Sequence, residues 1–297
     1  MQRVVIAGGT GQVGRQLAVR GAGRGYDVVA YGSGELDITD AASVRRRIAG
    51  GDVVINCAAY TAVDAAETDV AGAFALNETG AATVAGVCAD VGARLIHLST
   101  DYVFAGDSPE PYETTDAPAP ATVYGRSKLA GERAVAEVAQ IVRTAWVYTG
   151  YPNTSARFPA PVNDFVRTML RLETERETVD VVDDQIGSPT YAGHLADGLL
   201  ELVGRPDAPG VLHLTGGGRA SWFELAQAVF AAAGADPERV RPCDSAQFVR
   251  PAPRPAYSVL SSRAWTEAGL TPLPGWREGL AAALADRDLS DSAEPGR

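Results

Sequence analysis

The sequence predicts an α/β fold: a doubly wound parallel sheet followed by a smaller C-terminal lobe. Three observations lead there. Short apolar strands alternate with amphipathic helices through the first half of the chain. A glycine-rich turn, Gly8-x-x-Gly11-x-x-Gly14, joins the first strand to the first helix. Beyond about residue 150 the alternation loosens into a stretch rich in Pro, Asn, Ser and Thr.

The elements follow in order. The strand RVVIAGG leads into a helix from about Gln12, the strand DVVAYG into a helix near 41–49, and DVVINCAA into a helix near 70–91. RLIHLST then precedes a helix that carries Tyr124 and Lys128, and QIVRTAWVY closes the first half. Strict alternation of this kind implies parallel strands joined by right-handed crossovers, with helices on both sheet faces. The loop YTGYPNTSARFPAPVNDF comes next, long over 150–162, ahead of the helix DFVRTMLRLETE. After it come a strand TVDVVDD, a loop QIGSPTYAGH, a helix through Leu202, a strand GVLHLTG, a helix from Ser221 and the proline-rich RPAPRPAYS. The polar tail DRDLSDSAEPGR is expected to fray. Residues 1–150 are expected to form a dinucleotide-binding Rossmann-like core and 151–297 mostly a substrate-binding lobe, with segments near 176–215 returning to the core.

Bulk properties exclude several function classes. No apolar run approaches the roughly 20 residues of a membrane span, and the N-terminus enters a strand directly without the pattern of a signal peptide. A cytoplasmic protein with no membrane partner is expected. The net charge of −11 argues against a nucleic-acid partner. The basic run Arg45-Arg46-Arg47 reads as a solvated helix face, with Val44 and Ile48 turned inward. Cys57, Cys88 and Cys243, odd in number and far apart, lack metal or redox spacing, and His97, His194 and His213 are equally isolated. No metal is expected.

Between a strand and a helix, the Gly8, Gly11 and Gly14 turn suits a dinucleotide: glycine lets backbone N–H groups approach a pyrophosphate, which the helix N-terminus favours. Where the second strand ends, an acid would bind the adenosine ribose of NAD and an arginine the 2′-phosphate of NADP. Gly32 and Ser33 stand there, so neither marker is present and NADPH is expected, with NADH possible. Asp37 could reach the adenine amino group with Ile38 against its ring, or could merely start the next turn. Tyr124 and Lys128, four apart, share a helix face.

Taken together, the glycine turn, NCAAYTAVDAAE at 56–67, STDYVF at 99–104 and Tyr124-x-x-x-Lys128 resemble an extended short-chain dehydrogenase/reductase, and among these the dTDP-4-dehydrorhamnose reductase family. DDQIGSPT at 183–190 and RPAYSVL at 254–260 carry the resemblance over nearly the whole chain. It implies a catalytic set of Thr100, Tyr124 and Lys128. The chemistry agrees: a phenol with pKa near 10 carries protons poorly at neutral pH, and an adjacent ammonium favours its phenolate. Lys128 would also hold the nicotinamide ribose, and Thr100 the substrate oxygen.

The resemblance further implies that Thr10, Gln12, Val13, Ser33, Ala58, Ala59 and Tyr60 line the cofactor, and that Thr61, Val63 and Asn163 face the substrate. Trp146 would wall the sugar or nucleobase pocket or belong to the core, and Arg254 would pair with the substrate diphosphate or with a surface acid. Asn77 could relay protons or brace a helix; Asp101 could bind a sugar hydroxyl or cap a turn. Tyr102 rather than Glu follows Asp101, which favours carbonyl reduction over dehydration. Arg15-Gln16 replace the carboxylate that metal-bridged members carry after the glycine turn. The expected function is NAD(P)H-dependent reduction of a dTDP-4-keto-6-deoxyhexose by a monomer or homodimer. The alternatives are a ketoreductase or epimerase on another nucleotide sugar, or a non-catalytic regulatory subunit of methionine adenosyltransferase.

Overall fold

The structure is a computed structural model that describes residues 1–150 and 163–286. The expected loop at 150–162 therefore lies, from Tyr151 onward, outside the described residues, as does the tail from 287. Six strands form the central sheet: β1 (Arg3–Ala7), β2 (Asp27–Tyr31), β3 (Val53–Asn56), β4 (Arg94–Thr100), β5 (Ala139–Thr144) and β6 (Val211–His213). Their order is β6-β5-β4-β3-β1-β2 and every pairing is parallel. The chain leaves β1 toward one edge and returns as β3 on its other side. That reversal opens a crevice beyond the carboxyl ends of β1 and β3.

Side-chain alternation along these strands builds two cores at once. Val4, Ile6, Val53, Ile55, Ile96 and Val142 face the helices Gln12–Gly23 and Ala192–Val203, whose Leu17, Leu195 and Leu199 pack against them. Val5, Ala7, Val54, Leu95 and Ile141 point the other way, onto Val44, Val84 and Cys88. Each Val, Leu or Ile among them, fully buried, contributes about 1.5–3 kcal/mol, so both faces of the sheet are strongly specified.

The helix expected near 70–91 is three pieces: Val70–Phe74, a π-helical turn over Ala75–Gly80, and Ala81–Val91. The helix near 41–49 is only Ala41–Arg45, capped by Asp40. A second lobe gathers Phe165–Glu175, Trp222–Ala232 and Trp276–Ala285 around its own core of Val166, Met169, Leu225, Phe230 and Trp276. Val211–His213 joins the central sheet, whereas Val179–Val182 pairs in parallel with Val240–Cys243 in a separate two-stranded sheet. The lobes meet at the glycine turn: Gln12 Nε2 donates to Asp164 Oδ2 at 3.3 Å, and Asp164 caps the helix Phe165–Glu175. No helix among the described residues is long and apolar enough to cross a membrane.

Beneath the carboxyl ends of β4 and β5, Arg143 donates twice to Glu132, at 2.9 and 2.7 Å, and both side chains are buried. The pair fastens the helix Val123–Val135 to β5. Removing one member strands a buried charge, so Glu132→Ala should lower unfolding free energy by about 3–5 kcal/mol in a urea melt. A loss below about 1 kcal/mol would contradict the anchoring role of the pair.

Candidate active site

The chain turns sharply after β1. Gly8 has φ +81°, a Cβ on it would lie 2.7 Å from the Ala58 nitrogen, and a Cβ on Gly14 would lie 2.3 Å from the Gly8 carbonyl oxygen. Glycine is therefore required at both positions. The helix Gln12–Gly23 starts at Gly11 with no side-chain cap, which leaves its first N–H groups available to an anion. Across the crevice, the buried Asn56 accepts from Ala58 N–H at 3.1 Å and faces His97 Nδ1 at 3.2 Å, holding the Ala58-Ala59 backbone against the glycine turn.

These segments wall one cleft of about 800 Å³ that continues past β3 to the end of β4. Gly8, Thr10, Gly11, Gln12, Val13 and Gly14 line it on the β1 side. Ser33, Asp37 and Ile38 follow beyond β2, with Ala58, Ala59, Thr61 and Val63 beyond β3. Thr100, Asp101, Tyr124, Lys128 and Trp146 complete the far end. An uncapped helix start, a cradle that a Cβ would fill and a cleft of this volume fit a dinucleotide. Asp37 lines the cleft and also closes its own turn: Oδ1 accepts from the Thr39 N–H and hydroxyl, which holds its carboxyl below the usual range.

At the far end, Thr100 closes β4 and starts a 3-10 turn by accepting from Tyr102 N–H at 3.3 Å. Its hydroxyl donates to Asp101 Oδ1 at 2.9 Å. The cap is thus Thr100 and not Asp101, whose carboxyl also faces the buried Ser258 hydroxyl. Asp101 is 2% exposed, and burial pushes its carboxyl up to about 6. Tyr124 and Lys128 lie one turn apart on the helix Val123–Val135, capped by Thr122. That helix sits hard against its neighbours: a Cβ on Gly125 would lie 2.2 Å from the Tyr102 carbonyl oxygen and one on Gly131 2.0 Å from that of Asn77.

Tyr124 is 8% and Lys128 3% exposed. Burial raises the Tyr124 phenol to about 12, partly offset by a hydrogen bond to Thr100. The expected lowering of the phenol by Lys128 is not seen. Lys128 Nζ instead donates to the Leu98 carbonyl at 2.6 Å, because a desolvated ammonium takes the nearest fixed acceptor. Burial brings Lys128 down to about 8, opposed by Glu132.

Four expected residues do not reach the cleft wall. Asn77 is buried with its amide donating to the Tyr60 carbonyl and the Ser127 hydroxyl while its oxygen accepts from Tyr60 N–H, so it braces the Tyr60 loop on the Tyr124 helix. Tyr60 contributes backbone to that brace. Asn163 is exposed and accepts from the Thr168 hydroxyl at 3.4 Å. Arg254 donates to Asp64 Oδ2 at 2.8 Å, the surface-acid alternative.

Other residues line the cleft without having been singled out. Cys57 stands beside Lys128, its thiol pushed up to about 12 by burial, and Tyr102 meets the Tyr124 ring edge-on at 5.5 Å. Trp146, with φ +46°, stacks on Trp222 at 3.5 Å between ring centroids. A Cβ on Gly187 would lie 2.3 Å from the Trp146 ring, so that indole is covered on both sides and Trp222 supplies part of the cleft wall. The available signal was Ser221-x-x-Glu224, a capping box that places Trp222 on the first helical turn. Among the described residues, no group of three or more His, Cys, Asp or Glu is arranged to hold a metal ion.

Comparison with known proteins gives a consistent family. The RmlD substrate binding domain matches residues 1–289. A dTDP-4-dehydrorhamnose reductase of Mycobacterium tuberculosis is 54% identical, over 96% of this chain and 93% of the relative. A dTDP-4-keto-6-deoxy-D-glucose reductase of Streptomyces niveus is 43% identical, over 95% and 96%. The crystal structure of dTDP-4-dehydrorhamnose reductase from Bacillus anthracis in complex with NADP superposes with a TM-score of 0.88 at 38% identity, covering 96% of this chain and all of the other. With its glycine turn, parallel sheet and cleft in place, the chain belongs to the RmlD substrate-binding-domain family, that of the dTDP-4-dehydrorhamnose reductases.

Proposed function

We propose that this protein is an oxidoreductase that reduces the 4-keto group of a dTDP-4-keto-6-deoxyhexose, with NADPH as cofactor and NADH as a working alternative. The observation that carries the reading is one continuous cleft from the glycine turn to Thr100, Asp101 and Tyr124. The name of the 54% identical relative and the NADP of the Bacillus anthracis structure support the substrate and the cofactor. Residues 1–150 form the cofactor core and the later residues most of the sugar lobe. The net charge of −11 disfavours nucleic acid, and free Cys57, Cys88 and Cys243 suit the cytoplasm, where the protein acts as a monomer or homodimer.

The backbone around Gly8, Gly11 and Gly14 would hold the cofactor diphosphate, and Ala58 and Ala59 its central portion. When bound, the nicotinamide supplies a hydride to the sugar carbonyl carbon. The chain's own residues manage the oxygen. Thr100 and Tyr124 converge on it, and the Tyr124 phenol gives it a proton. A phenol raised to about 12 is fully protonated at neutral pH, the state that reduction requires. The Lys128 ammonium, still charged below about 8, stabilises the phenolate left behind once it turns from Leu98. Asp101, on the cleft wall with the Ser258 hydroxyl beside it, accepts a hydroxyl of the hexose. A second sugar is suggested by the Streptomyces niveus relative, named for dTDP-4-keto-6-deoxy-D-glucose.

The test is to supply both dTDP-4-keto sugars with NADPH, follow loss of the reduced nicotinamide and identify the products by NMR; reduction of neither would end the proposal. Tyr124→Phe should still bind cofactor while turnover drops by about 100-fold or more. A near-normal rate in that variant would remove the phenol from the mechanism. The pH profile follows from the two buried charges. Sugar kcat/KM should rise as Asp101 ionises through about 6 and fall as Lys128 loses its proton through about 8. Asp101→Asn should erase the acidic limb and leave the alkaline one.

A further inference from the structure

A dinucleotide fold reads its adenosine ribose at the end of β2, and an acid there selects against a 2′-phosphate. Gly32 and Ser33 occupy those positions, yet the structure brings a carboxylate to them from farther along the chain. The Gly32 carbonyl accepts from the N–H groups of Glu35 and Leu36, both at 3.0 Å, closing a tight turn. The Glu35 side chain folds back so that Oε2 accepts from Gly32 N–H at 3.2 Å. Gly32 is buried, and a Cβ on it would lie 2.9 Å from Thr10 Cγ2. Thr10, Ser33 and Leu36 all line the cleft. Glu35 itself is exposed and stands just outside the cleft lining, its carboxylate anchored to the β2 end beside Ser33. The turn is also held from outside: the Arg47 guanidinium lies 4.8 Å from the Tyr31 ring centroid, and its Nε donates to the Glu35 carbonyl at 3.3 Å.

We propose that Glu35 is a specificity-determining residue for the cofactor: its carboxylate takes the adenosine ribose hydroxyls of NADH and opposes the 2′-phosphate of NADPH. This rests on the reductase reading above, in which NADH is a working alternative. To use the Gly32 N–H, a phosphate would have to displace a like charge already bonded to it. The other charged groups at this corner are Arg47, which favours a phosphate, and Asp37, whose Oδ1 is occupied by Thr39. Arg47 offsets part of the repulsion, so NADPH is handicapped and not excluded.

The full-length protein would be titrated with NADPH and with NADH by quenching of its tryptophan fluorescence, since Trp146 and Trp222 line the cleft. Glu35→Gln keeps an oxygen for the Gly32 N–H and removes the charge; Glu35→Ala removes both. In each variant the ratio of the NADH Kd to the NADPH Kd should rise by about fivefold or more, and raising the salt concentration should shrink the difference from the unsubstituted protein. A ratio within twofold of the unsubstituted protein in both variants, or a change insensitive to salt, would overturn the role of Glu35. Failure of the unsubstituted protein to bind either nucleotide would overturn the reductase reading instead, and the selector role with it.

Discussion

Desolvation where the parallel strands end sets the properties of the site. Asp101, Tyr124 and Lys128 are all withdrawn from water there, and each shifts toward its neutral form as burial demands. For a phenol proposed to deliver a proton this is favourable. For the carboxylate and the ammonium it is costly, and the structure offsets the cost with fixed partners: the Thr100 hydroxyl for Asp101, the Leu98 carbonyl and Glu132 for Lys128. These partners are backbone or are locked by packing, so Asp101 and Thr100 are held in place, while Lys128 has to leave the Leu98 carbonyl to reach the Tyr124 oxygen.

The same helix links site and scaffold. Val123–Val135 presents Tyr124 and Lys128 to the cleft, while Glu132 anchors it to Arg143 on β5 and Gly131 lets it approach the Asn77 turn. The π-helical turn at Ala75–Gly80 belongs to this arrangement, since it carries the Asn77 amide into bonds with Tyr60 and Ser127. Asn77 thereby fixes the loop after β3 relative to the Tyr124 helix without lining the cleft.

Much of this was legible in the sequence for local reasons. Strands β1 and β3 are nearly continuous apolar runs because both faces are covered, and the glycine turn is a short-range requirement of backbone geometry. Thr100, Tyr124 and Lys128 were expected together because a short motif carries each, and all three line the far end of the cleft. Long-range placement was not legible. Trp222 meets Trp146 across 76 positions of chain, and Val179–Val182 finds a partner in Val240–Cys243 instead of the central sheet. The acid at the end of β2 was missed for a subtler reason: inspection of Gly32 and Ser33 cannot reveal a side chain that returns from Glu35 through a tight turn. For Arg254 the sequence left two partners open, a substrate diphosphate or a surface acid, and the structure shows it bonded to Asp64.

In the proposed reaction hydride is delivered to the hexose C4 while the chain's phenol supplies the proton to its oxygen. Deuterium at the transferring position of the reduced nicotinamide, with the product examined by NMR, tests it most directly. The expected result is a single deuterium on C4 of the hexose, and its absence from C3 and C5. A reduced sugar without deuterium at C4, or a dTDP-sugar whose keto group survives while the cofactor is consumed, would contradict it.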